Sequence, residues 1–292
     1  MVMQKIKISP NSKQRSAIEH PPSPLMILAG AGTGKTFTLE NRIVYLIKEY
    51  KVDPKHLLAI TYTEKAAKEL KNRVIEKVGA KAHSMTVNTF HAFCYKLLRD
   101  NDFSSKQLLD ESEAVHMFLT RFDELKPFES TEFPLDPQRA ITESFMPFFN
   151  RMRDELIDPE KVKVSQLKDD DTLTNETRQQ LSDLKRIYPL FQSWKEELNV
   201  VDYGDMILSA YQMISTNKSI LKNIQDNYRH IVIDEFQDNN FALNEIVNLI
   251  AGKRNYVTAV GDDDQVIYSF RGANNFNIQA FRERYGDHEK YQ

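Results

Sequence analysis

The segment Ala29-Gly30-Ala31-Gly32-Thr33-Gly34-Lys35-Thr36 constrains this chain more than any other. The apolar run 25–29 (LMILA) precedes it and reads as a buried strand. After it, Leu39, Ile43, Leu46 and Ile47 recur at the spacing of one helix face over 35–49. A strand that ends in glycines and reopens as a helix is the setting in which a loop can surround an anion. Glycines let backbone N–H groups turn inward, and the helix N-terminus adds positive potential. Lys35 offers an ammonium to the β- and γ-phosphates of a nucleotide, and Thr36 a hydroxyl to Mg2+. Ala29 stands where the general phosphate-loop pattern has its first glycine, so that position is expected not to need positive φ. A glycine-rich turn without a ligand is the alternative; strand, helix, Lys and Thr together weigh against it.

The same alternation continues. Apolar runs at 56–61 (HLLAIT), 230–234 (HIVID) and 256–261 (YVTAVG) predict strands, with a shorter one at 86–88. Helical patterns occupy 64–78, 89–99 and 241–250. Strands alternating with helices predict an α/β fold with a parallel sheet covered on both faces. Residues 100–200 break the rhythm, with helical patterns at 111–125, 137–153 and 176–198 punctuated by Pro127, Pro134, Pro147 and Pro159. We expect an all-helical subdomain at 91–201, inserted into an α/β domain formed by 1–90 and 202–292. The run Lys168-Asp169-Asp170-Asp171 reads as an exposed loop.

Charge supports the division. Residues 100–200 hold 13 Lys/Arg against 22 Asp/Glu, and the remainder 26 against 20, within a net charge of −3. The basic excess is densest in 64–99; over 68–77 a solvated helix face with i,i+4 ion pairs is the favoured reading. No stretch approaches the roughly 20 apolar residues of a membrane span, and 1–14 has no signal-like run. Cys94 is the only cysteine, so an internal disulfide is excluded, and it reads as a small buried side chain. These features fit a reducing cytoplasm.

Two acidic segments follow predicted strands. Asp234 and Glu235 end the run IVIDEFQD, at the edge where open parallel sheets bind ligands. Asp234 is placed to hold Mg2+ and Glu235 to orient and deprotonate a water. Gly261-Asp262-Asp263-Asp264-Gln265 closes the last strand. Three adjacent acids need a cation, positive partners or solvent; Gln265 is a candidate to contact the γ-phosphate. Tyr268, Phe270 and Arg271 follow, a grouping suited to base stacking and phosphate contact, although an isolated Phe is more often a core residue.

In order, these segments resemble the UvrD/Rep family of superfamily 1 DNA helicases. Asn11-Ser12-Lys13-Gln14 resembles the Q motif, and AGAGTGKT resembles motif I including its initial Ala. Thr61-Tyr62-Thr63-Glu64-Lys65-Ala66-Ala67 resembles motif Ia, and Asn88-Thr89-Phe90-His91-Ala92-Phe93 the segment after it. Val201-Asp202-Tyr203-Gly204-Asp205 looks like the return to the motor domain, IDEFQD like motif II and GDDDQVIYSFRGA like motif III. Within 100–200 only the helical character is shared. Two departures stand out: Tyr62 and Glu64 replace Phe and Asn, and Phe270 replaces Trp. Tyr62 and Phe270 keep a stacking face, whereas Glu64 would repel a phosphate.

The resemblance implies a RecA-like P-loop NTPase domain with ATP and Mg2+ as cofactors. Gln14 would read adenine, and the loop 29–36 would hold phosphates. Tyr62, His91, Tyr268, Phe270 and Arg271 would face single-stranded DNA. The implied activity is ATP hydrolysis driving 3′ to 5′ movement on single-stranded DNA and separation of duplex DNA. The family's second RecA-like domain, with its later arginines, is absent from this chain, so the chain alone is expected to turn over ATP very slowly. Two alternatives are the motor of a recombination helicase–nuclease and a nucleotide-binding module without turnover.

Overall fold

The computed structural model describes residues 9–101, 106–163, 174–254, 256–262 and 274–286. The acidic run 168–171 lies outside them. The chain divides into two compact units: Met1–Phe93 with Met213–Gln292, and Cys94–Gln212.

The first unit is built on α1 (Ser12–Ile18), β1 (Leu25–Leu28), α2 (Lys35–Lys48), β2 (Leu57–Thr61), α3 (Glu64–Val78) and β3 (Thr86–Thr89). The division falls inside α4 (Phe90–Arg99). The expected helix 64–78 matches α3, which starts on Thr63, whose side chain caps the Ala66 N–H, and stops at Gly79 with φ 92°. Arg73 and Lys77 reach from α3 to the buried Glu40 of α2, and Arg73 also pairs with Glu69 one turn away. Part of the basic face of 64–99 therefore ties two helices together.

The second unit contains β4 (Gln107–Leu108), α5 (Glu111–Thr120), α6 (Pro137–Arg139), α7 (Met146–Asp154), α8 (Asn175–Glu197) and β5 (Val200–Val201). The stretch expected as one helix over 137–153 is interrupted: residues Ala140–Phe145 widen into a π-helical turn. Pro147, lacking an N–H, sits just beyond the widening. The unit is not purely helical, because β4 and β5 pair in parallel at Gln107↔Val200 and Leu108↔Val201. Two residues are too few for a period-2 pattern to register. Phe118 centres its core, with ring centroids 4.6 Å from Phe191, 5.6 Å from Phe145 and 5.6 Å from Trp194.

The chain passes back through α9 (Tyr203–Thr216) and continues with α10 (Lys218–Asn227), β6 (His230–Ile233), α11 (Phe241–Ala251), β7 (Val257–Gly261) and α12 (Asn274–Tyr285). The five main strands form one parallel sheet in the order β1-β7-β6-β2-β3. Alternate residues Leu25, Ile27, Leu57, Ala59, Val87, Val232 and Val260 pack into a core with α2 and α3 residues such as Leu39, Ile43, Leu70 and Val74. Their neighbours Met26, Leu58, Ile60, Ile231, Ile233 and Ala259 are buried too, so the sheet is covered on both faces, as its uninterrupted apolar runs require.

Candidate active site

Strand register gathers the sequence-read segments along one sheet edge. Leu28 lies opposite Gly261, Ile233 opposite Ala259, Ile60 opposite Ile233, and Thr61 opposite Thr89. The phosphate-loop segment, the Asp234–Glu235 pair, Asp262, Tyr62 and His91 therefore all leave the sheet at its C-terminal end. In chain order β1 comes first, yet β7 separates it from β6. Ligands of open parallel sheets bind beyond this end of the strands.

The loop adopts the conformation its glycines allow. Gly32 and Gly34 have φ of 74° and 90°, whereas Ala29 is not among the positive-φ residues. The Thr33 N–H and hydroxyl both donate to the Gly30 carbonyl, at 3.3 and 2.7 Å. Gly34 is the N-cap of α2 and provides no side-chain cap, so donors of the first helical turn are left for an anion. Thr36 is exposed there. A Cβ on Gly34 would meet Gln14 Nε2 at 3.0 Å.

Gln14 is held by α1. Its N–H donates to Asn11 Oδ1 at 2.8 Å, the Asn11 N–H donates to its Oε1 at 3.0 Å, and its Nε2 donates to the Thr33 carbonyl at 3.0 Å. It lines a cavity of about 190 Å³ with Asn11, Lys13, Ala17, Ile27, Thr33 and Lys35. Buried Arg42 anchors the exit of α1 by donating to the carbonyls of Ile18, His20 and Pro21. Burial lowers its pKa to about 10.

Lys35 is the centre of the charged constellation. Its Nζ lies 3.1 Å from Asp262 Oδ2 and 3.4 Å from Glu235 Oε2. Burial alone would lower its pKa, but Asp262 and Glu235 outweigh burial and raise it. Asp262, 1% exposed, lies in the segment that resembles motif III but was given no role of its own there. Its signal was the need of three adjacent acids for a cation. For Asp234, burial first and Glu235 second push the carboxyl up to about 6; the same two causes raise Asp238. Glu235 occupies the left-handed region at φ 50°, ψ 47°, a conformation uncommon for a residue with a side chain.

Among the described residues no three His, Cys, Asp or Glu side chains form a group able to hold a metal ion. Mg2+ is ordinarily held by one or two carboxylates together with waters and substrate phosphates. A half-buried Asp234 and the exposed Thr36 hydroxyl suit that pattern rather than a closed protein cage. Tyr62 is 70% exposed and His91 is exposed at the start of α4. Gln265, Tyr268, Phe270 and Arg271 lie outside the described residues. Cys94 is buried, and burial pushes its thiol up to about 12, which leaves it unreactive. No helix among the described residues is long and apolar enough to cross a membrane.

Residues 10–286 match the family model described as UvrD/REP helicase N-terminal domain. The chain belongs to this family. Similar relatives include DNA helicase II of Escherichia coli strain K12, 32% identical over 276 residues that make up 93% of this chain and 36% of the relative. ATP-dependent DNA helicase PcrA of Staphylococcus epidermidis is 32% identical over 283 residues, 94% of this chain and 36% of the relative. ATP-dependent DNA helicase UvrD1 of Mycobacterium tuberculosis is 32% identical over 292 residues, 95% of this chain and 36% of the relative. The chain thus spans little more than a third of the length of these relatives. Membership of the UvrD/REP family agrees with the motif order read from the sequence and with the parallel α/β sheet.

Proposed function

We propose that this chain binds ATP with Mg2+ at the ends of β1, β6 and β7 and hydrolyses it, as the nucleotide-consuming part of an enzyme that moves on single-stranded DNA and separates duplex DNA. The names of its relatives supply the DNA and ATP dependence. The observation that carries the reading is Lys35, poised between Glu235 and Asp262. A partly buried ammonium neutralised by two acids on neighbouring strands is a preorganised partner for a phosphate.

The loop 29–36 binds the phosphates through backbone N–H groups, and Gln14 and the cavity beside it take the base. Lys35 exchanges its carboxylate partners for phosphate oxygens, which releases Glu235 to accept a proton from the attacking water. Asp234 and Thr36 would hold Mg2+, which when bound offsets phosphate charge. Tyr62 and His91 lie on the DNA side of the same edge.

Lys35→Ala should weaken binding of a fluorescent ATP analogue by more than about tenfold, the loss expected when one charge-assisted contact of about 1.4 kcal/mol or more disappears. Affinity within twofold of the parent would remove the phosphate-loop assignment. Glu235→Gln should keep the nucleotide bound and stop phosphate release. Binding without phosphate release in the parent chain, with and without single-stranded DNA, would mark a nucleotide-binding module instead.

A further inference from the structure

Behind the charged residues lies a chain of buried amides that the proposed chemistry does not use. Gln237, 1% exposed, donates from Nε2 to Glu235 Oε2 at 2.8 Å and accepts the Asp262 N–H on Oε1 at 3.1 Å. One side chain thus connects the end of β6 to the end of β7. Its own backbone carbonyl is held by Asn277 Nδ2 of α12 at 3.1 Å, and the same nitrogen donates to the Asn239 carbonyl at 2.6 Å. Asn244 of α11 donates to Asn277 Oδ1 at 2.8 Å and accepts from Asn239 Nδ2 at 3.0 Å. Buried amides satisfied at both ends resist rotation, because each lost bond leaves a desolvated partner.

We propose that Gln237 is the positioning residue that holds Glu235 in place when Lys35 turns to phosphate. The inference rests on the reading of Glu235 as the base. Lys35 Nζ and Gln237 Nε2 both donate to the same oxygen, Oε2. A lysine bound to phosphate no longer restrains that oxygen; the amide still does. Oε2 then serves as the anchor and Oε1 as the oxygen that accepts the proton of the attacking water. The left-handed backbone of Glu235 makes such an anchor necessary, since a strained residue stays put only when its surroundings over-determine it. Gly261 completes the arrangement: a Cβ there would lie 3.1 Å from Gln237 Oε1, tight enough to push the amide. Gly261 lies in β7 without positive φ, so space rather than backbone conformation explains a glycine at this position.

The test uses the whole chain with Gln237→Met, which keeps length and loses both hydrogen bonds, and Gly261→Ala, which retains the amide group but crowds it. Single-turnover hydrolysis of labelled ATP, with protein in excess, should fall at least about tenfold in Gln237→Met, because a displacement of about 1 Å can cost up to a hundredfold. Gly261→Ala should fall less, and nucleotide affinity should change less than threefold in both. Crystal structures provide a readout independent of turnover: the Glu235 carboxylate in Gln237→Met should shift by more than about 0.5 Å, the tolerance of a preorganised site, with α12 in place. An unmoved Glu235, or parental hydrolysis in Gln237→Met, overturns the proposal. Lys35→Ala and Glu235→Gln run alongside separate the two claims. If both hydrolyse as the parent does, the reading of the site fails; if both are impaired while Gln237→Met is not, only the positioning role fails.

Discussion

Glu235 combines a strained backbone with a central piece of the proposed chemistry. The left-handed conformation costs a residue with a Cβ roughly 1–2 kcal/mol, and glycine avoids that cost. Comparing Glu235→Gly with Glu235→Ala isolates the strain, because both lose the contacts to Lys35 and Gln237. Glu235→Gly should be the more stable by about 1 kcal/mol in urea unfolding, an amount set by the φ > 0 penalty less the chain entropy of glycine. Equal stability would mean that the turn relaxes to negative φ once the side chain is gone. At this scale the sequence was informative about residue types and poor about partners. Asp234, Glu235 and Lys35 were legible because strand ends and a glycine loop fix where they lie. The contacts of Asp262 with Lys35 and of Gln237 with Glu235 and Asp262 were not, because they depend on strand order and turn geometry that local pattern does not specify.

The quartet Arg153, Lys195, Asp202 and Asp205 shows what joins elements within the second unit. Arg153 Nη1 of α7 donates to Asp202 Oδ1 at 2.7 Å and to Asp205 Oδ1 at 2.8 Å, and Lys195 of α8 reaches Asp202 Oδ2 at 3.0 Å. Residues 202–205 read from the sequence only as a returning segment. Nothing in their local pattern names an arginine 49 residues upstream of Asp202. Gly204 belongs to the same arrangement: a Cβ there would lie 2.6 Å from Arg153 Nε. Helix propensity alone would have Gly204→Ala stabilise α9 by about 0.5–1 kcal/mol. The clash with a guanidinium already fixed by two acids should win, giving a loss of about 1–3 kcal/mol. In an Arg153→Met background that loss should shrink, a coupling that a double-mutant cycle reads directly. Additive effects would place the obstacle elsewhere.

The same quartet sets a response to acid. Burial alone would raise the Asp202 carboxyl, but Arg153 and Lys195 hold it at about 2, below the usual 3.8. A depressed carboxylate stabilises the fold above its unfolded pKa, and that stability is lost as pH falls through the folded value. The window is therefore from about 4 down to about 2. Asp202→Asn should flatten the stability profile of this unit across that window, as followed by Trp194 fluorescence in urea at several pH values. An unchanged slope would show that the ion pairs contribute nothing there.

For the whole molecule, the alternation of strands and helices was legible, because apolar periods of 2 and 3.6 are local properties. The order β1-β7-β6-β2-β3 was not, since a strand's pattern does not specify its neighbour. The charge division bears on where DNA would bind. Residues 100–200 carry 22 acids against 13 bases, and the rest of the chain 20 against 26. Exposed Tyr62 and His91 lie at the sheet edge of the first unit. Base stacking on an aromatic side chain is worth about 1–3 kcal/mol, so Tyr62→Ala should weaken binding of an oligothymidylate by about 5–150-fold. If three or four phosphates are neutralised, affinity should fall about 20- to 50-fold between roughly 50 and 200 mM salt. Hydrogen exchange should show new protection in peptides covering 58–66 and 88–93. The acidic stretches 106–163 and 174–200 should stay unprotected, because like charges repel the phosphate backbone. Broad protection across those stretches, or full affinity in Tyr62→Ala, would relocate the DNA path away from this edge.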